Sequence, residues 1–360
     1  MQTETESQTN FNSVPKLSVP VTAASPKAQR IPALDFTKGV LVLLMVLYHW
    51  INYFIGPQWG YYEYLRFLTP SFIFITGFII SNVYLSKYDA SDPRLPRRLF
   101  TRGLKLLAIF LVLNLARIFI VPALGTGVVA KNSFQPETLI AIFVSGNLGT
   151  SGGKLGAFPI LVPISYLLML AGGLMLPHRF FRYTFHIVFA LMMFSILILG
   201  LTGARAPILE SVAIGMLGVL TGFAPISTIN DFIRHPFALL FAYLGYTIAI
   251  TIWSDPFPLV IVGVLLSLIV IYLVGSGGSG SGAVRNEVIL LGKYSLLAYI
   301  SQIAVLQILS AGFHRFNSGA AVLPISFAAA FALTIICVEV VNRARAKSAS
   351  ADRLYKAVFA

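Results

Sequence analysis

From Val40 onward the chain alternates long apolar runs with short polar segments. Ten runs, at 37–56, 66–86, 99–123, 156–176, 183–202, 207–224, 237–253, 257–274, 288–311 and 320–342, come near the ~20 residues that a helix needs to cross about 30 Å of hydrocarbon. The pattern predicts an all-α fold, a polytopic integral membrane bundle of about ten transmembrane helices. The weakest signals are 207–224, which Glu210 opens, and the pair 237–253 and 257–274, which only the Asp255, Pro256 turn separates. An eleventh apolar piece, Leu139 to Ser145, is too short to span and is expected at the interface or re-entering. Residues 1–30 are rich in Gln, Thr, Ser, Pro and Ala and read as a disordered cytoplasmic tail. They do not resemble a signal peptide, because Glu4 and Glu6 lead and the apolar run comes late. The membrane domain is expected over 31–342, with a flexible Gly/Ser loop at 275–282, natural or spliced, and a basic cytoplasmic tail at 343–360.

Composition fits lipid. Hydrophobic residues make up 57% and charged residues 11%, against about a quarter charged in ordinary soluble chains. Lys and Arg number 26 against 13 Asp and Glu, a net charge of +13. These charges cluster between apolar runs, which is the positive-inside bias of a membrane protein and not a nucleic-acid face. With the N-terminus in the cytoplasm, 19 of the 26 basic residues collect on that side and six on the other, while Lys105 lies within a span. An even number of spans, with both termini cytoplasmic, is therefore expected. The single cysteine, Cys337, permits neither an internal disulfide nor a cysteine metal site, and no second His or carboxylate stands at ligand spacing from His49, so no metal site is expected.

The first span carries the chemistry. Lys38 and His49 are eleven residues apart, three helical turns plus about 20°, so they share one face about 16 Å apart along the axis. A histidine inside an apolar span is a functional candidate, with a neutral imidazole bonded to a neighbouring helix as the structural reading.

The stretch Leu34, Asp35, Lys38, Gly39 and His49 resembles the opening of the acyltransferase 3 family, within the transmembrane acyltransferase superfamily. Phe72 to Phe78, the Arg94–Arg97 pair, and Gly292, Ser295, Leu296, Tyr299 and Gln302 are similar to later motifs of that family. The resemblance implies ten spans in a bacterial inner (plasma) membrane. It also implies transfer of an acyl, commonly acetyl, group from acyl-CoA as co-substrate to a hydroxyl of a carbohydrate or lipid-linked glycan, with no permanently bound cofactor. His49 becomes the general base. Lys38, Arg94, Arg97 and Arg98 become donor-binding candidates, since arginine forks match phosphate oxygens; topology alone also explains them. Glu63, beside Trp59, Tyr61 and Tyr62, is a candidate acceptor contact or a partner of Arg66. Asp35, Tyr299 and Gln302 are candidates for helix or site support, and Lys38 pairs with Asp35 in the purely structural reading. Two alternatives stay open. One is a transporter or flippase without catalysis. The other is a relative of the enzyme that N-acetylates the terminal glucosamine of heparan sulfate, whose histidine lies beyond the first span.

Overall fold

The computed structural model describes residues 31–56, 63–85, 92–123, 143, 158–225, 228, 235–253, 256–277, 282–316 and 322–359. The expected tail 1–30, the aromatics Trp59, Tyr61 and Tyr62, and nearly all of 139–145 lie outside them. The described elements are helical: α1 Pro32–Phe54, α2 Leu68–Ile79, α3 Arg94–Ala123, α4 Leu161–His178, α5 Thr184–Leu201, α6 Pro207–Thr221, α7 Pro236–Ile252, α8 Phe257–Gly277, α9 Ala283–Lys293, α10 Ser295–Phe316, α11 Val322–Lys347 and α12 Ala349–Phe359. A π-helical turn, Ile80–Leu85, continues α2. Among the described residues, eight helical stretches are long and apolar enough to cross a membrane, and α6 and α7 are shorter apolar helices. Together they account for the ten expected runs.

Local chemistry sets the boundaries. Pro32 opens α1 at a position where its missing N–H costs nothing, and Asp35 lies in the first turn, near the positive end of the helix dipole. Side chains from eight helices meet in the main core, where Leu41, Ile73, Leu99, Leu167, Met216 and Val264 are all fully buried. By contrast, α5 exposes Leu191, Phe194 and Leu197, and α7 exposes Phe237, Leu240 and Phe241. In a bilayer these faces meet acyl chains and need no protein cover.

With lipid as solvent, apolar burial no longer drives helices together, so close backbone approach at small residues matters more. A Cβ on Gly77 would lie 1.9 Å from the Gly215 carbonyl oxygen, and one on Gly218 would lie 2.1 Å from that of Phe74, which locks α2 to α6. The same device joins α1 to α9: a Cβ on Gly39 would meet the Val288 carbonyl oxygen at 1.9 Å, and one on Gly292 that of Asp35 at 1.7 Å. Trp50 Nε1 donates to Ser326 Oγ at 3.0 Å and ties α1 to α11.

Three boundaries differ from the sequence expectation. The run 288–311 is two helices, broken at Tyr294, whose hydroxyl donates to Asn342 Oδ1 at 3.0 Å and accepts from Arg345 Nη1 at 2.9 Å. The first three residues of the Gly/Ser segment are helical, because α8 runs through Gly277. Gly275 packs against Phe36, and its carbonyl accepts Arg285 Nη2 at 2.7 Å; residues 278–281 lie outside the described set. The basic stretch 343–360 is the end of α11 followed by α12, not an irregular tail.

Candidate functional site

A cavity of about 210 Å³ opens at the end of the bundle where α1 begins and α2 ends. Lys38 enters from α1, Arg102 from the third turn of α3, and Lys293 from the last residue of α9. Tyr84, Tyr299 and Tyr355, with Thr76 and Ser295, complete its polar wall, and among the described residues no carboxylate lines it. The sequence folds this way because each cation sits within three turns of a helix end, where its stem covers apolar neighbours and its head reaches the opening.

Lys38 Nζ contacts Asp35 Oδ1 at 2.6 Å, with both side chains largely buried. The structural and functional readings of Lys38 thus coexist, since the same ammonium is paired and also lines the cavity. Arg102 Nη1 donates to the Tyr84 hydroxyl. Asp35 offsets one of the three cations, which leaves a surplus of positive charge in partly desolvated surroundings. Such a site attracts a polyanion, and the hydroxyls of the three tyrosines can add hydrogen bonds to phosphate oxygens.

Arg94, Arg97 and Arg98 stand elsewhere. They lie in the first two turns of α3 on its exposed side, while Leu95 and Leu99 turn inward, and none of the three lines the cavity. Tyr299 does line it. Gln302, one turn further along α10, is fully buried, and among the described residues neither amide atom has a hydrogen-bond partner.

His49 lies outside this cavity, in the second-last turn of α1 and about 16 Å along the axis from Lys38. Its ring packs edge-on against Tyr48 at 5.0 Å between centroids. Tyr48 is within electrostatic reach of Tyr299, which lines the cavity. Glu63 begins the stretch that continues into α2, at the end of the bundle opposite the cavity, where the Arg66 amide donates to its backbone carbonyl at 3.4 Å. Among the described residues no group of three or more His, Cys, Asp or Glu could hold a metal ion.

Sequence reasoning did not select Lys293, Tyr84, Tyr355 and Phe359. Lys293 was hidden by the general excess of cations between the apolar runs. A signal for α12 was present in Asp352, Tyr355, Lys356 and Phe359, whose three- and four-residue spacing marks one helical face. A second cavity of about 260 Å³, almost wholly apolar, lies between α1, α2, α6 and α8 and shares Ile75 with the first.

Residues 30–129 match the family model for heparan-alpha-glucosaminide N-acetyltransferase, catalytic. This finding replaces the resemblance to the acyltransferase 3 family. The residues that carried that resemblance have packing roles in the fold: Asp35 and Lys38 pair across one turn, and Gly39 admits the backbone of α9. Constraints of that kind do not distinguish one family from another. No curated protein and no solved structure matches the chain. Through α1, α2 and α3, which supply Lys38, Tyr84 and Arg102, the chain is similar to the catalytic region of an N-acetyltransferase.

Proposed function

We propose that the protein is a membrane-embedded acetyltransferase that moves the acetyl group of acetyl-CoA to the amino group of a glucosamine-type sugar. The observation that carries this reading is the cavity of Lys38, Arg102 and Lys293, about half of whose wall comes from the acetyltransferase-like segment and whose charge matches the phosphates of CoA. The cavity opens on the cytoplasmic side, with both termini on that side, in agreement with the distribution of basic residues along the chain. The donor's flexible arm then runs inward past Tyr299 and Tyr48 to present its thioester to His49. Glu63, at the opposite end, offers a carboxylate to the ammonium of the incoming sugar.

The chemistry follows from the residues. The sugar's ammonium first gives one proton to water and becomes a nucleophilic amine; as its nitrogen bonds to the acetyl carbon, the neutral imidazole of His49 accepts a second proton from that nitrogen. The amine nitrogen attacks the thioester carbonyl carbon; the C–N bond forms and the C–S bond breaks. The CoA thiolate leaves with the electron pair and takes up the proton held by the imidazolium, so His49 ends neutral. A transporter needs no such base, and an acetyltransferase-like first third of the chain gives it no support.

Substitution of His49 tests the assignment. His49→Ala and His49→Gln should each lower acetyl transfer by about 10² to 10⁴ and leave acetyl-CoA binding intact, because the glutamine can hydrogen-bond but cannot carry a proton at neutral pH. Wild-type transfer by the Gln variant would remove His49 from the mechanism.

A further inference from the structure

We infer that α12 is a hinged lid on the basic cavity and has to lift for the anionic donor to enter; the inference rests on the donor-site reading above. Tyr355 and Phe359, one turn apart on α12, form part of the cavity wall, so a chain ending at α11 would leave this side open. With the helix seated the half-open cavity measures about 210 Å³. Pockets that hold drug-sized ligands run from about 300 to 1,000 Å³, and acetyl-CoA, with its nucleotide, three phosphates and long arm, is larger than most such ligands. The seated cavity therefore takes only part of the donor, and α12 is a wall held mainly by one other helix, α11.

The anchors of α12 are a ring contact, Tyr355 against Tyr294 at 5.3 Å between centroids, and a half-buried ion pair. Asp352 accepts Arg345 Nη2 at 2.6 Å and Lys356 Nζ at 2.5 Å, and the Arg345 guanidinium lies 4.0 Å over the Tyr355 ring and 5.3 Å over that of Tyr294. No residue of α12 is fully buried. The helix joins α11 through a single non-helical residue, Ser348, which caps the new helix by accepting the Ala351 N–H at 3.3 Å on its hydroxyl. A one-residue joint between two rigid helices is a hinge: rotation there swings Tyr355 and Phe359 together without disturbing α11. Lifting exposes Arg102 and Lys293 to the incoming phosphates. Reseating lays two aromatic rings over the bound donor.

Acetyl-CoA is the probe, its association and dissociation rates measured on the full-length protein in lipid nanodiscs. The variants are a chain ending at Ser348 and the full chain with Asp352→Ala, which loosens the clasp and keeps both aromatic residues. If the open state is populated at about 10% or less, both rates should rise about tenfold or more in the truncated chain and by a smaller factor in Asp352→Ala. Rates equal to those of the parent in a folded truncated chain, or in Asp352→Ala should truncation prevent folding, would overturn the lid. Absence of acetyl-CoA binding by the parent protein itself would overturn the donor site, and the lid with it.

Discussion

Lys38 and Arg94 carry the same charge and lie on the same side of the bundle, yet their surroundings separate them. Lys38 is held by Asp35 at a cavity wall, whereas Arg94 is exposed. An exposed charge is screened within about 10 Å at moderate salt, while one in a desolvated cavity is not. Replacing Arg102, which is half-buried at the cavity wall, with Ala should therefore weaken acetyl-CoA binding by about 1.5 to 3 kcal/mol, the worth of a hydrogen bond to a charged group, and replacing Lys293, which lines the cavity but is exposed, should cost less. The same change at Arg94 or Arg97 should cost under about 1 kcal/mol. Titration calorimetry of the four purified variants decides the order, and equal losses at all four would return the exposed arginines to the site. Lys38 was legible in the sequence because a lysine stands out at the mouth of an apolar run. Lys293 was not, because only the break at Tyr294 shows that it ends one helix at a cavity instead of preceding a longer one.

At the scale of elements, α1 and α9 are joined by backbone contact at glycines, and a carbonyl in a helix cannot step aside as a flexible side chain can. Gly292→Ala should destabilise the bundle by about 1 to 3 kcal/mol, the range for overpacking, and would appear as a lowered melting temperature in detergent. An unchanged melt would mean that the helices part at little cost. Docking of α12 is pH-dependent at both extremes. Hydrogen bonds from Lys356 and Arg345 hold the Asp352 carboxyl below its ordinary value, so its contribution is complete above about pH 4 and lost as pH falls through the lowered value. Burial pushes the Tyr355 hydroxyl up. The undocked helix therefore ionises first, and docking weakens as pH rises past about 10. The anisotropy of a dye on the C-terminal residue should stay level between these limits and fall outside them. Apolar length was enough to locate every span, because lipid demands it of each one. It could not show that 288–311 is two helices, since the bond network of Tyr294, Asn342 and Arg345 joins residues some fifty positions apart.

For the whole molecule, if all ten apolar runs cross the membrane the chain returns to the side on which it starts. Protease added to sealed inside-out vesicles should remove tags from both ends at similar rates, and protection of one end alone would mean an odd number of crossings. The arrangement has a practical side. Phe359, a wall of the cavity, is the last residue of α12. A purification handle or fluorescent protein joined straight after α12 hangs from that ring, and its drag and bulk pull on the one-residue joint at Ser348. Preparations with and without such a handle should therefore differ in donor kinetics, and assays built on that fusion would measure the fusion together with the protein.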